Sequence, residues 1–436
     1  MSGTLIERLR GGELPEELER ACADEPLDAV AIASRIVEGT VVFPLNKVKK
    51  LDKACAVGAG LRTKVNANVG TSGDVADIEM ERAKLEAAVG AGADAVMDLS
   101  TGGDIDAVRK DIVSMSVVPV GTVPIYQAAI ESQDRHGNIV AMKPDEMFEA
   151  VERHMADGVD FVTVHCGVTR KAIDALMRTG RIADIVSRGG AFLSGWILYN
   201  DKENPFYEGF DRMIELAREY EVTLSLGDGL RPGAVRDATD AAQVQELITL
   251  GELVQRCRDA GVQAMVEGPG HVPLDQVVEN VRLAKDITRN APFYVLGPLV
   301  TDVAPGYDHI VAGIGGALAG ASGADFLCYV TPSEHLGLPE IEDVREGVIV
   351  TRIAAHAADL AKNRDFFMRW DDEMSRARKA LDWDRQLELA LDPVKAKATR
   401  KRCGAGIVDE PACTMCGEFC AMKFIASYLG TEEHPC

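Results

Sequence analysis

Short apolar runs alternate with longer amphipathic stretches through most of the chain, and the switch between the two periods predicts the elements. Nine runs read as buried strands: 64–69, 95–100, 118–123, 161–166, 184–189, 223–228, 264–268, 293–298 and 325–330. Between them, segments such as IEMERAKLEAAVGAG, PDEMFEAVERHMADG and AAQVQELITLGELVQRCRDAG carry apolar residues at helical spacing and stop at glycine, as helix C-caps do.

Strands recurring every ~30 residues with a helix between them pair in parallel, and eight such units close a (β/α)8 barrel. Nine runs therefore leave one outside the barrel. An open doubly wound sheet is the competing architecture, but no G-x-G-x-x-G opens a helix after the first strand. Residues 1–60 read as a small N-terminal helical region, with apolar faces over 15–22 and 27–37 and a basic run, Lys47-Val48-Lys49-Lys50, that reads as a solvated face. Past residue 345 the strands stop, and 348–361, 364–381 and 384–390 read as helices with Trp370 and Trp383 as packing anchors. The expected organisation is an N-terminal region (1–60), a barrel (61–345) and a C-terminal helical domain (346–436).

Composition narrows the functional classes. With 47% hydrophobic and 27% charged residues, the 436-residue chain is globular, and no apolar run reaches the ~18 residues of a membrane helix. The N-terminus lacks the apolar core of a signal peptide, so a cytoplasmic, non-membrane protein is expected. Lys and Arg number 47 against 69 Asp and Glu, and the net charge of −22 argues against a nucleic-acid surface. Ten cysteines suit a reducing compartment, with Cys22, Cys55, Cys257 and Cys328 in apolar settings that read as buried thiols.

Three further cysteines, in Cys413-Thr414-Met415-Cys416-Gly417-Glu418-Phe419-Cys420, match neither a helical nor a strand face and suggest convergence on one ion or cluster. A closed zinc site takes four ligands, whereas an iron–sulfur cluster on three cysteines keeps one iron open. An open iron can take the amino and carboxylate groups of S-adenosylmethionine and pass an electron to its sulfonium. A zinc knuckle completed by Cys403, His434 or Cys436 is the alternative.

In a barrel the active site forms at the C-terminal ends of the strands, and unusual polar residues follow the predicted strands there. They are Asn66 and Asn68; Asp98, Ser100 and Thr101; Tyr126; His165 with Cys166; Ser187-Arg188-Gly189-Gly190; Asp228 to Gly233; Glu267 and His271; Tyr294; and Glu334-His335. Singly, each could cap a helix, shape a turn or sit in the core. Arg188 and Arg231, set among glycines that expose backbone N–H groups, make a phosphate cradle. Glu267 with His271 suits acid–base work or a metal. His271 and His335 are the best metal pair, and His309 competes with them.

KVNANVGTS, VMDLSTGGD, PVGTVPIYQAA, SRGGAF, KENPFYEGFD, TLSLGDGLRPG, VEGPGHVPL, APFYVLGPLVTDVAPGYDHI, DFLCYVTPSEHLGLPE and the cysteine motif closely resemble the phosphomethylpyrimidine synthase family of radical S-adenosylmethionine enzymes, from about residue 60 to 425. The resemblance implies a (β/α)8 barrel whose C-terminal cluster domain docks over the barrel mouth of a partner subunit, hence a homodimer. It implies aminoimidazole ribotide as substrate, contacted by Asn68, Met97, Tyr126, His165, Ser187, Arg188, Gly189, Asp228, Arg231, Glu267 and Tyr294. Met97 enters only by this route. A [4Fe–4S] cluster would sit on Cys413, Cys416 and Cys420, a second metal, zinc or iron, on His271 and His335, and an electron would come from a flavodoxin or ferredoxin. The implied reaction is that of a lyase: a 5′-deoxyadenosyl radical takes hydrogen from the ribose, with Glu267 among the catalytic groups.

Two activities in the family share that substrate. Three departures resemble the paralogue 5-hydroxybenzimidazole synthase, of anaerobic cobamide synthesis: FPLNKVKKLDKACAVG before the first strand, Cys166 after His165, and Tyr199 in WILYNDKENP. The expected product is therefore 5-hydroxybenzimidazole, with the phosphomethylpyrimidine of thiamin synthesis as the alternative. From other classes, a zinc-dependent barrel hydrolase using His271, His335 and Glu267 and a cluster-bearing electron carrier remain to be tested.

Overall fold

A computed structural model describes residues 3–403 and 412–429. Eight strands close a parallel barrel: β1 (Lys64–Val69), β2 (Ala95–Asp98), β3 (Val120–Thr122), β4 (Phe161–Val164), β5 (Thr223–Leu226), β6 (Ala264–Gly268), β7 (Phe293–Leu296) and β8 (Phe326–Cys328). Each pairs in parallel with the next, and β8 returns to β1 with Phe326 opposite Lys64 and Cys328 opposite Asn66. Helices cover the outer face and side chains fill the inner one, so the strands are buried on both sides and read as continuous apolar runs. Inside the barrel, Phe326 packs against Phe161 and Tyr294 with ring centroids 6.4 and 4.5 Å away.

The run left out is 184–189. β4 pairs directly with β5, and no register remains for a strand between them. The run is instead an irregular approach to the helix Arg188–Asn200: Asp184 is at φ +44°, Val186 is exposed, and Ser187 caps the helix by accepting from the Gly190 N–H at 3.2 Å.

The other boundaries follow local chemistry. The helices Ile78–Ala91 and Pro144–Ala156 are followed by Gly92 and Gly158 at positive φ, where a side chain would be strained. A boundary at 345 falls inside the helix Ile341–Lys362, which belongs to the barrel: Arg352 donates to the Ala91 carbonyl at 2.8 Å, and Asp359 accepts from the Thr63 N–H at 2.8 Å. The first compact unit accordingly runs Met1–Lys362 and the second Asn363–Cys436.

The N-terminal region has its own apolar cluster, including Leu5, Leu18, Ile32, Ile36 and Phe43, and an antiparallel pair, Val41–Val42 with Val57–Gly58. The basic run is only partly a solvated face, since Lys49 reaches the buried carboxylate of Asp160 at 2.8 Å. In the second unit, Arg364–Lys379, Trp383–Leu389 and Pro393–Arg402 are helices. Trp370 donates to the Leu389 carbonyl at 2.8 Å, and Arg400 stacks 3.4 Å from the centroid of Trp383. Among the described residues no helix is long and apolar enough to cross a membrane.

Candidate active site

The C-terminal ends of the strands surround a cavity of about 420 Å³, the size of a small-molecule site. On one wall stand Asn68, Met97 and Tyr294, from β1, β2 and β7. Asn66 donates to the Tyr294 hydroxyl at 2.8 Å and to Asn68 Oδ1 at 2.9 Å, and the Tyr294 hydroxyl donates to Met97 Sδ at 3.4 Å. Met97 thus has a place that spacing could not reveal. Cys328, which reads from sequence as a core thiol, lines the same wall and accepts from Asn68 Nδ2 at 3.2 Å; burial pushes its thiol up to about 11. Cys22, another expected core thiol, is only half-buried.

The opposite wall carries the charge. Arg188 stacks on Tyr126, 4.9 Å from the ring centroid, and among the described residues makes no ion pair. Arg231 lies beside Asp228, Nη1 to Oδ1 3.2 Å. Burial, reinforced by the neighbouring Glu267, pushes the Asp228 carboxyl up to about 8 against the pull of Arg231, and among the described residues its Oδ2 has no hydrogen-bond partner. Glu267 points into the barrel, where its Oε1 accepts from Thr163 and Ser225, both at 2.7 Å. Burial raises its pKa too, against those two hydrogen bonds. Thr163 and Ser225 escape sequence reasoning because alternate residues of a strand buried on both faces look alike.

His165 is buried and hydrogen-bonded to Ser187 Oγ through Nε2 at 3.3 Å, leaving Nδ1 without a partner among the described residues. Burial, with Arg231 nearby, pushes its pKa down to about 3, so the ring is neutral. Glycine at 189 is required by this contact, because a Cβ there would fall 2.3 Å from His165 Cε1.

At the rim, His271 and His335 stand with ring centroids 5.4 Å apart. The Nδ1 of His271 lies 2.8 Å from Asp302 and that of His335 3.5 Å from Asp308, an arrangement that orients Nε2 for a metal. The two aspartates are further residues that spacing does not single out. His309 is buried elsewhere, 3.8 Å from Glu346.

In the second unit, Cys413, Cys416 and Cys420 are free thiols on a tight turn, with the Cys416 and Gly417 N–H groups donating to the Cys413 carbonyl at 3.3 and 3.0 Å. Backbone N–H groups of Met415 and Cys416 lower the Cys413 thiol pKa, which favours the thiolate a metal requires. Three such sulfurs fit a cluster, although among the described residues no three His, Cys, Asp or Glu side chains already stand close enough to hold a metal ion. Cys403 is drawn beside the turn by Thr414, whose hydroxyl donates to its carbonyl at 2.9 Å; His434 and Cys436 lie outside the described residues.

None of the three departures that pointed to 5-hydroxybenzimidazole lines the cavity: the segment before the first strand lies towards the N-terminal end of the barrel, where Leu51 to Cys55 border a separate cavity. Cys166 is fully buried in the apolar core behind His165, and Tyr199 is 70% exposed on the helix Arg188–Asn200.

A closed parallel barrel with convergent acid, base and guanidinium groups at the C-terminal rim defines a barrel enzyme acting on a small polar molecule. Over residues 4–427 the chain matches the Radical SAM ThiC family, and it belongs to that family. It is 60% identical over 425 residues to a phosphomethylpyrimidine synthase of Desulforudis audaxviator, covering 98% of both chains. It is 58% identical over 434 residues to one of Moorella thermoacetica, covering 99% of this chain and 100% of that one. Among solved structures, a dihydropteroate synthase from Coxiella burnetii is similar at a TM-score of 0.39 and 12% identity, over 73% of this chain and 100% of that one, too slight a likeness to carry an argument. Membership implies S-adenosylmethionine and a [4Fe–4S] cluster; it lends nothing to the hydrolase or electron-carrier readings.

Proposed function

We propose that the protein is a phosphomethylpyrimidine synthase, converting aminoimidazole ribotide to 4-amino-2-methyl-5-phosphomethylpyrimidine for thiamin synthesis. The observation that carries this choice of product over 5-hydroxybenzimidazole is the placement of Cys166 and Tyr199 away from the cavity, where neither can steer an intermediate. The relatives of 60% and 58% identity bear the same name.

In this reading Arg188, Arg231 and the Ser187-to-Gly190 backbone receive the ribotide phosphate. Arg188 is suited to it because its charge has no other counter-ion among the described residues. Asn68, Met97 and Tyr294 hold the ring end. The neutral His165 offers Nδ1 and Asp228 offers Oδ2, positions where substrate polar groups would complete unmet hydrogen bonds. Glu267, gripped by Thr163 and Ser225, is the acid–base group on the barrel floor. Cys413, Cys416 and Cys420 would hold the cluster, which with S-adenosylmethionine supplies the radical chemistry. His271 and His335 would hold a divalent ion, zinc or iron. A flavodoxin or ferredoxin would serve as electron donor. Met415, Phe419, Phe424 and Tyr428 are exposed beside the thiols, an apolar surface suited to a second copy of the chain, so the enzyme is proposed to work as a homodimer.

The test is a single anaerobic reaction with aminoimidazole ribotide, S-adenosylmethionine and a strong reductant, followed by chromatography. The phosphorylated pyrimidine is expected. Fluorescent 5-hydroxybenzimidazole in its place would restore the other product.

A further inference from the structure

Two loops furnish the proposed phosphate cradle: 187–190, which opens the helix Arg188–Asn200, and 228–231, which follows β5. They touch backbone to backbone. A Cβ on Gly190 would fall 1.9 Å from the Gly229 carbonyl oxygen, so only glycine at 190 lets the two loops come this close. Glycines permit this approach but do not hold it.

The holding groups lie beneath. Arg181 has a fully buried side chain and makes a bidentate pair with Asp240, Nε to Oδ2 2.7 Å and Nη2 to Oδ1 2.8 Å. Its remaining N–H groups donate to the carbonyls of Leu230 at 2.6 Å and Arg231 at 3.3 Å on one loop, and of Asp184 at 3.2 Å on the approach to the other. From the opposite side Glu246 accepts from the Leu230 N–H at 2.8 Å, and Asp237 accepts from the N–H groups of Ile182 and Ala183, both at 2.9 Å. Asp240 also caps the helix Ala241–Asp259, accepting from the Gln243 N–H at 2.8 Å, which ties the clamp to a rigid element. A guanidinium is the one side chain whose planar fork can serve a carboxylate and several carbonyls together.

We infer that Arg181, with Asp240, is a positioning residue that locks the 187–190 and 228–231 loops into one register, so that Arg188 and Arg231 converge on a single phosphate. This rests on the ribotide reading of the site. Arg181 does not touch the substrate; it acts by fixing backbone that carries the two arginines and Asp228.

The test compares full-length protein binding aminoimidazole ribotide with its binding of the riboside that lacks the phosphate, by calorimetry. Arg181→Met should weaken the ribotide about tenfold or more and the riboside less than about twofold, as expected when a preorganised charge-assisted contact is loosened. Arg181→Lys keeps the charge but not the fork, and should fall between parent and Met. Should Arg181→Met fail to fold, Asp240→Asn, which keeps one acceptor oxygen for the cap but loses the charge and one of the two contacts to Arg181, should show the same selectivity on a smaller scale. Equal losses for the two ligands, or no loss, overturn the inference while leaving the substrate reading intact. A parent protein that does not prefer the ribotide overturns both.

Discussion

The two ends of the barrel hold cavities of nearly equal size, about 420 Å³ at the C-terminal rim and about 450 Å³ at the N-terminal end, and both are rich in charge. At the N-terminal end the buried charges answer one another. Lys64 meets Glu25 at 2.6 Å, Arg62 forks onto Asp94, and Lys285 meets Asp325 at 2.5 Å near the start of β8. At the rim, among the described residues, Arg188 has no acidic partner, and His165 Nδ1 and Asp228 Oδ2 have no hydrogen-bond partner. Volume does not separate a site from a structural void; unmet charge and hydrogen bonding do, because such groups are costly unless a ligand completes them.

The largest effect should come from breaking a pair at the closed end. Glu25→Ala strands the fully buried Lys64 ammonium and should cost about 3–5 kcal/mol of stability. Denaturant unfolding measures that, and the protein still folded should bind ribotide as the parent does. A matching loss of affinity would erase the distinction between the ends.

At the rim the balance should reverse. Arg188→Ala should weaken ribotide binding about tenfold to a hundredfold, the range for a hydrogen bond to a charged group. Its melting temperature should stay near the parent's, since no ion pair among the described residues is lost. A large drop in melting temperature with unchanged affinity would make Arg188 a structural residue.

His271→Ala and His335→Ala should each lower affinity for a divalent ion about tenfold or more while leaving cluster iron unchanged, as metal analysis of anaerobically prepared protein would show. Unaltered metal content in both variants would place that ion elsewhere.

The last effect is one of pH dependence and concerns Glu246, beneath the cradle. Burial, followed by the charge of Asp228, pushes its carboxyl from the ordinary 4.5 up to about 8. Between those values the folded chain keeps a proton that the unfolded chain has released, so this group's contribution to stability declines as pH rises from about 4.5 to about 8. Glu246→Gln lacks that decline, and its melting temperature should gain on the parent's across the window. A constant offset would mean that Glu246 is already ionised at the acid end.

Much of the scaffold is legible in the residues. Strands buried on both faces must be apolar throughout, which is why eight of the nine runs are barrel strands, and glycine at positive φ marks where several helices stop. The ninth misleads because Asp184 to Gly189 has a strand's composition, whereas pairing depends on a free edge, and β4 already has β5. His165 and Cys166 show the same limit within the site. They are adjacent in sequence, yet one lines the cavity and the other packs in the core.

What the sequence by itself determined is the inventory: nine strand-like runs, one more than a barrel takes, a rim of polar residues at their C-terminal ends, and three thiols at a spacing that suits a cluster. What only the tertiary structure decided is which of those groups are satisfied. Lys64 and Arg188 are both cations in the barrel unit, and nothing local separates them; Glu25 lies 39 residues from Lys64 and Asp240 lies 59 residues from Arg181. Partners so remote are brought together by the closing of the barrel, and only then does a buried charge become either a structural pair or a binding site.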